Sequence, residues 1–380
     1  MRVLCLIPHP YEGASGRCRI FQYLPSLERA GMTATVRPFL SPAMFRLVYL
    51  PGHLPSKMAM AAVALTRRLT DLVRCAHADV VLIHREAVPL GTAFWERAIV
   101  GLGRPVVFDF DDAVYLDHTS EANAWTRAFR RGAKTATIIR LSRHVIAGNR
   151  VLADYAQRFN PRVTVIPTPV DAERFTCRAG ALSDPSRLII GWMGSPTTAG
   201  YLAPMQPVFE ALTQRYPRLR IRIIGAQRVP LRLQNLELVP WRLEDEAAQL
   251  QTFDIGVMPM PDDDWARGKC GYKALLYMSA GIPVVAAPVG VNCDIVQDGV
   301  NGLLATDAAS WTAALARLIE DAALRRQMGE AGRTALETRY SVAVNAPRFI
   351  HVLRLAAGQA MASDPPSAWP VSAAEGVHAH

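Results

Sequence analysis

The chain has 380 residues, half of them hydrophobic, with 42 Lys and Arg against 33 Asp and Glu, a formal balance of +9. That length suggests roughly two domains, and the positive balance favours anionic partners such as nucleotides, phosphorylated carriers or acidic lipid surfaces. No arginine-rich or aromatic-interleaved basic run argues for nucleic acid, and no run of about 18 apolar residues argues for a transmembrane helix.

The six cysteines, at 5, 18, 75, 177, 270 and 293, form no CxxC pair. They suggest neither a disulfide framework nor a zinc site, and fit a reducing, cytoplasmic setting. The opening MRVLCLIPHP is expected to be a strand rather than the core of a signal peptide.

Residues 3–8 read as the first strand. The loop at 9–16 ends on Gly16 and leads through Arg17 and Arg19 into a helical run at 20–30. A loop entering a helix can face a phosphate, so Gly16, Arg17 and Arg19 are candidate contacts to a phosphate or a charged acceptor. GxGxxG is absent, and no dinucleotide site is expected. Residues 35–39 read as the next strand.

Residues 54–76 form a long helical pattern. Leu54, Met58, Ala61, Ala62, Leu65, Leu69, Leu72 and Val73 share one stripe, with Lys57, Arg67, Arg68 and Arg74 off it. The stripe is expected to pack on its own domain, as amphipathic helices usually do. The alternative is peripheral contact with an anionic membrane.

Strands are expected at 79–83 and 105–109, with a helix near 91–101 between them. His84-Arg85-Glu86 follows the first strand, and Asp109-Phe110-Asp111-Asp112 closes the second. Ligands of open α/β sheets bind beyond the carboxyl ends of strands. His84 is therefore a candidate contact, or equally a structural hydrogen-bonder. Three carboxylates in four residues repel one another unless cations, a metal or ligand hydroxyls partner them. A basic helical stretch at 119–143, strands at 144–147 and 163–167 and a helix at 151–159 complete the first series. PTPVDAERF then enters a segment of low periodicity at 176–186, where the domain boundary is placed.

The second α/β series begins at 188. A strand at 188–193 runs into GSPTTAG and a helix at 201–215, with further strands at 219–224, 236–239 and 255–258. The stretch PDDDWARGKCGYKALLYMSAGIPVVAAPVG, residues 261–290, then combines a charged loop, a helix-like run at 270–280, Gly281 and a buried strand at 282–286. Free N–H groups and the positive dipole end converge at such a helix entry. Arg267, Gly268, Lys269 and Lys273 sit there, and the two lysines are four apart, on one face if helical. The group reads as a diphosphate clamp or as a solvated basic face.

A short strand at 301–304 and helices at 308–320, 322–338 and 344–357 follow. The domains are placed at 1–175 and 186–340, a C-terminal helix at 341–360 returns toward the first domain, and residues 361–380 are expected to be disordered.

Two successive α/β domains with the anion-friendly loop in the second resemble the GT-B glycosyltransferases, in particular the retaining enzymes of family 4, over about residues 1–345. PTPVDAERF looks like that family's interdomain P-N-G-V-D-x-x-x-F. RGKCGYKALLYMSAGIPVVAAPVG is similar to its donor loop and helix, E-G-F-G-x-x-x-x-E-A-M-A-x-G-x-P-V. DIVQDGVNGLL is similar to its E-I-V-x-D-G-x-N-G-L-L, with Asp294 in place of the Glu.

The resemblance implies two Rossmann-like domains facing each other across a cleft. It implies transfer of a hexosyl unit from a nucleotide diphosphate sugar to an acceptor hydroxyl, with retention and without a bound metal. The nucleotide would sit on the second domain. A glycan or lipid-linked acceptor would sit on the first.

The chain departs from the family where chemistry matters. Anchored on Gly281-Ile282-Pro283-Val284, the family's two glutamates fall on Gly268 and Leu276, and its Arg/Lys pair after the first strand of the second domain is missing, with Ser195 where Arg is expected. Arg267, Lys269 and Lys273 are expected to offset the diphosphate charge instead, helped by donors from Gly194 and Ser195. The family's histidine near the transferred sugar falls on Asp111, followed by Asp112. These are the candidate catalytic residues, while Asp109 reads as structural.

Three alternatives stay open. VVFDFDDAV also looks like the D-x-D motif of haloacid dehalogenase-type phosphatases. A sugar-nucleotide epimerase shares the fold. The lost glutamates fit a non-catalytic nucleotide-sugar-binding or scaffold subunit.

Overall fold

The structure, a computed structural model, describes residues 1–380 except 49, 51, 90, 117–132, 178–187 and 360–380. Most of the expected boundary segment, the first part of the basic helical stretch and the expected disordered tail lie outside the described residues.

Two parallel sheets organise the chain. The first joins β1 (Arg2–Ile7), β2 (Thr33–Pro38), β3 (Val80–His84), β4 (Val106–Phe110), β5 (His144–Ala147) and β6 (Val163–Val165) in the order β2-β1-β3-β4-β5-β6. The second joins β7 (Ile189–Met193), β8 (Arg220–Ile224), β9 (Leu236–Val239), β10 (Ile255–Met258), β11 (Val284–Ala286) and β12 (Gly302–Leu304) in the order β12-β11-β10-β7-β8-β9. The central strands VVLIH, VVFDF and IIGWM are buried at every position. Helices cover both faces of parallel sheets, so such strands read as apolar runs rather than alternating ones. The register of β3 on β4 sets His84 opposite Asp109.

Backbone chemistry moves several expected boundaries. The run at 20–30 divides into a 3-10 turn Phe21–Tyr23 and a helix Leu24–Arg29 with a proline in its first turn, and a separate short helix, Ala14–Arg19, begins within the expected loop. Pro204 and Pro207 likewise divide 201–215 into a 3-10 stretch, Pro196–Met205, and the helix Gln206–Arg215. Proline lacks the N–H that a helix interior needs but fits its first turn. Gly271, at φ 66°, delays the helix after the charged loop to Tyr272–Ser279.

The helix Leu54–Ala76 has the expected bounds but presents the opposite face. Lys57, Ala64, Arg68, Asp71 and Cys75 are buried, whereas Leu54, Met58, Leu65, Leu69 and Val73 are exposed. A polar network holds it so. Arg68 donates to Asp71 at 3.1 Å and to the carbonyl of Arg37 at 3.2 Å, and Arg37 reaches the same Asp71 at 2.7 Å. Buried charges need such partners, and this requirement overrides the apolar stripe.

The two crossings of the chain between domains run side by side. Val170 donates to Tyr340 O at 2.9 Å and accepts from Val342 N at 3.0 Å. Within PTPVDAERF, Asp171 caps a turn by accepting from the N–H groups of Glu173 and Arg174, and Phe175 enters the second domain's core. The helix Val342–Ala356 then packs on the first domain, where Phe349 stacks on Tyr23 at 4.3 Å beside Val3, Cys5 and Ile7. Phe349→Ala should lower stability by about 3–5 kcal/mol, read as an earlier urea midpoint. Val151→Ala, at an exposed position, should stay within about 0.5 kcal/mol of the parent chain.

Candidate active site

The site grows from the carboxyl end of β4. Asp109 and Asp111 are two apart and so project to the same side of an extended strand. Asp109 is fully buried, takes Arg19 Nε at 3.2 Å, and shares a 2.7 Å hydrogen bond with His84 Nδ1. Arg19 also donates to Ile166 O at 2.7 Å. Burial pushes the Asp109 carboxyl up, but Arg19 and His84 outweigh it and hold it below the usual range.

Asp111 carries the network to the seam with the second domain. It accepts Arg85 Nε at 2.7 Å on one oxygen and the Ser15 hydroxyl at 2.8 Å on the other. Ser15 Oγ lies 2.7 Å from His84 Nε2, which completes a Ser15–His84–Asp109 chain. Arg85 Nη2 donates to Asp112 at 2.5 Å. Burial opposes ionisation of Asp111, yet Arg85, His84 and Arg19 keep its carboxyl well below the ordinary range. Arg85 sits at φ +60°, a left-handed conformation that costs a bulky residue energy and persists where its surroundings demand it. Here two carboxylates demand it.

The second domain meets this edge with the loop after β10. Lys269 Nζ lies 3.5 Å from Asp112 Oδ1, and Cys270 Sγ donates to Asp111 O at 3.1 Å. Asn149, whose Oδ1 caps the helix Arg150–Gln157, donates from Nδ2 to the carbonyls of Gly268 and Lys269, each at 3.0 Å. Glycines permit this approach. A Cβ on Gly268 would lie 2.6 Å from that of Ala113, and one on Gly148 would lie 2.3 Å from Cys270 Sγ. Burial, reinforced by Asp111, pushes the Cys270 thiol far above its usual range, so it acts as a hydrogen-bond donor and not as a nucleophile.

Lys273 lies deeper, in the first turn of Tyr272–Ser279, a helix without a side-chain cap. Its ammonium stands 5.3 Å above the Trp192 ring. Burial first and Lys269 second lower its pKa to about 8, against the opposing pull of Asp112. A cation held over a ring, next to a second cation and uncapped helix N–H groups, is a place for an anion.

The remaining sequence candidates divide. Lys269 and Lys273 are neighbours, but not on one helix face, because Lys269 precedes the left-handed Gly271. Arg267 is half-exposed and engaged by its own loop, by Asp262 at 2.7 Å and Asp264 at 3.6 Å. Gly194 gives its N–H to Ile224 O at 3.0 Å, so that donor is taken. The position needs glycine because a Cβ would strike Trp192 and Lys273. Ser195 pairs its hydroxyl with Thr197 at 2.7 Å on an exposed turn. Arg17 crosses to Glu246 at 3.4 Å and lies over Trp241, making it an interdomain tie, which Arg174 joins at 3.0 Å.

Arg19 is fully buried and committed to Asp109, which removes it as a phosphate contact, and Gly16 is buried against Ile7. His84 is also fully buried, with Nε2 hydrogen-bonded to Ser15 and 3.9 Å from Asp111. Asp109, the nucleophile position of the phosphatase alternative, is likewise sealed from solvent.

Ser15, Asn149 and Trp192 escaped the sequence reading, which placed Arg85 at a functional strand end without assigning it a role. Arg85 was visible beside His84 at a strand end, and Asn149 as a helix cap. Their long-range partners had no local signal.

Residues 27–174 match a family model described as Glycosyltransferase Family 4, and residues 187–321 match one described as Glycosyl transferases group 1. A D-inositol 3-phosphate glycosyltransferase of Salinispora arenicola is 28% identical over 270 residues, 58% of this chain and 59% of that protein. One from Corynebacterium aurimucosum is 23% identical over 313 residues, covering 73% of this chain and 72% of the relative. The chain thus spans little more than half the length of the first of these relatives.

Among solved structures, Anabaena Alr3699/HepE in complex with UDP-glucose has a TM-score of 0.66 at 17% identity, covering 93% of this chain and 100% of that one. Sucrose-phosphate synthase from Thermosynechococcus elongatus has a TM-score of 0.65 at 16% identity, covering 93% and 99%. With two parallel-sheet domains in the matching order and a family model on each, the chain belongs to the GT-B glycosyltransferases of the family 4 type.

Proposed function

We propose that the chain transfers a hexosyl unit, with retention, from a nucleotide diphosphate sugar to a hydroxyl of a glycan or lipid-linked acceptor in bacterial polysaccharide or glycolipid assembly, on the cytoplasmic side. One observation carries the reading: Lys269 and Lys273 gather at the uncapped entry of Tyr272–Ser279 and face Asp112 of the other domain. Departure of a nucleoside diphosphate builds negative charge, and preorganised cations in a water-poor cleft are the strongest means of offsetting it. In this reading the chain's own lysines supply that charge without a metal. Phosphate replaces Asp112 as the partner of Lys269. Asp111, held ionised by Arg85 and oriented by Ser15, lies beneath the sugar, where a carboxylate stabilises oxocarbenium character.

The HepE complex contains UDP-glucose, which makes UDP-sugars the first donors to test. The second reading, a nucleotide-sugar-binding subunit without turnover, draws on Leu276. It occupies a family glutamate position, yet it is buried in the core and cannot hold a ribose.

Three outcomes check the proposal. Lys269→Ala should lower turnover at saturating donor by more than about tenfold; unchanged turnover would remove the lysine from the reaction. Asp111→Asn should lower kcat by about a hundredfold or more and leave UDP affinity within a factor of about two, because the residue touches sugar and not nucleotide.

The third outcome is a pH profile. The Lys273 ammonium, lowered to about 8, is present below that pH and lost as the pH rises through it. UDP affinity measured by calorimetry should therefore decline above about pH 8, while Lys273→Arg, which stays charged, should flatten the decline. A profile identical in both proteins would place Lys273 away from the phosphates. Binding of UDP without product from any sugar nucleotide would favour the second reading.

A further inference from the structure

We infer that the outer face of the first domain, built by the helix Leu54–Ala76 and its neighbour Phe94–Gly101, docks on an anionic lipid surface. The apolar stripe of the first helix faces outward, with Met58 61% and Val73 65% exposed and Leu69, Leu54 and Leu65 exposed to 55%, 48% and 38%. Phe94, at 62%, extends the patch onto the second helix, and Leu102 at its end is exposed as well. The stripe from Leu54 to Val73 is about 29 Å long at 1.5 Å per residue. It is a surface that lies along an interface. No described helix is long and apolar enough to cross a membrane.

Charge selects the partner. Arg46, Arg67, Arg97 and Arg104 are exposed on these helices, on the adjoining helix Pro42–Val48 and on the turn after Phe94–Gly101. Residues 29–105 contain four carboxylates, Asp71, Asp79, Glu86 and Glu96, and none opposes these arginines on the outer face. Asp71 is buried among Arg37, Arg68 and Arg74, and Glu96 is buried and accepts the Ala87 N–H. Asp79 pairs with Arg2, and Glu86 with Lys134. An apolar stripe with arginines beside it and no free acid is the composition of an interfacial helix. Basic residues draw such a face to anionic headgroups over about a Debye length.

The inference does not depend on the donor reading, and its test separates the two. The full chain is sedimented with vesicles of phosphatidylglycerol and phosphatidylcholine, and with phosphatidylcholine alone, at low and high salt. It should pellet with the anionic vesicles at low salt and be largely released by high salt or by omission of the anionic lipid. Leu65→Glu with Leu69→Glu should cut the bound fraction at least about fivefold, and Arg67→Glu with Arg97→Glu should weaken binding to anionic vesicles. UDP affinity of the leucine variant should equal the parent's, which shows that it is folded and leaves the transferase reading untouched. Failure of the parent chain to bind anionic vesicles would overturn the inference. So would equal binding by the leucine variant, or a self-association in solution that the same variant abolishes.

Discussion

Three carboxylates at the end of one strand, and the cations that neutralise them, hold this molecule's functional centre together. Asp109, Asp111 and Asp112 would repel one another strongly in a water-poor seam. Arg19 answers the first from inside the domain, Arg85 straddles the other two, and Lys269 reaches Asp112 from the opposite domain. Removing one partner of a buried pair leaves an uncompensated charge and is costly. The left-handed backbone at Arg85, the burial of His84 and the position of the loop after β10 all follow from meeting that demand.

The same arrangement joins the two domains. Each has its own apolar cores, and apart from Trp265 and Cys270, which reach the first domain's core, the seam between them is rich in ion pairs, hydrogen bonds and glycine contacts. Arg17 and Arg174 converge on Glu246 while Asn149 grips the loop carrying Lys269. Polar seams of this kind resemble transient interfaces more than domain cores. The adjacent crossings at Val170 and Ser341 leave the chain a narrow connection between the halves. A seam whose strongest contacts are electrostatic also suits a charged ligand, because phosphate can exchange with a carboxylate at the same lysine.

Much of the architecture was legible from local pattern. The strands at 144–147, 236–239 and 255–258 and the helices at 54–76 and 308–320 have the bounds expected of them, since periodicity and flanking turn residues act within a few positions. Proline and glycine account for most boundaries that moved. The carboxylates were identifiable as a group needing partners, and the loop at 262–269 as acidic and then basic. The partners themselves were not identifiable. Arg19 looked available for phosphate and is locked to Asp109, and Arg267 looked like a clamp residue and is held by its own loop.

The helix Leu54–Ala76 shows where local pattern stops. Its hydrophobic stripe is real, but hydrophobicity reports only what burial would favour. Arg37, Arg68 and Asp71 decide the orientation by bringing charges into contact across 34 residues of sequence. The amino-acid order by itself determined the two α/β series, their domain order and the type of most of their longer elements, because those depend on neighbours along the chain. Which charge meets which, which face of a helix meets solvent, and that Ser15, His84 and Asp109 form one chain were decided only by the tertiary structure. The groups concerned lie on separate strands and loops, and only folding brings them within hydrogen-bonding distance.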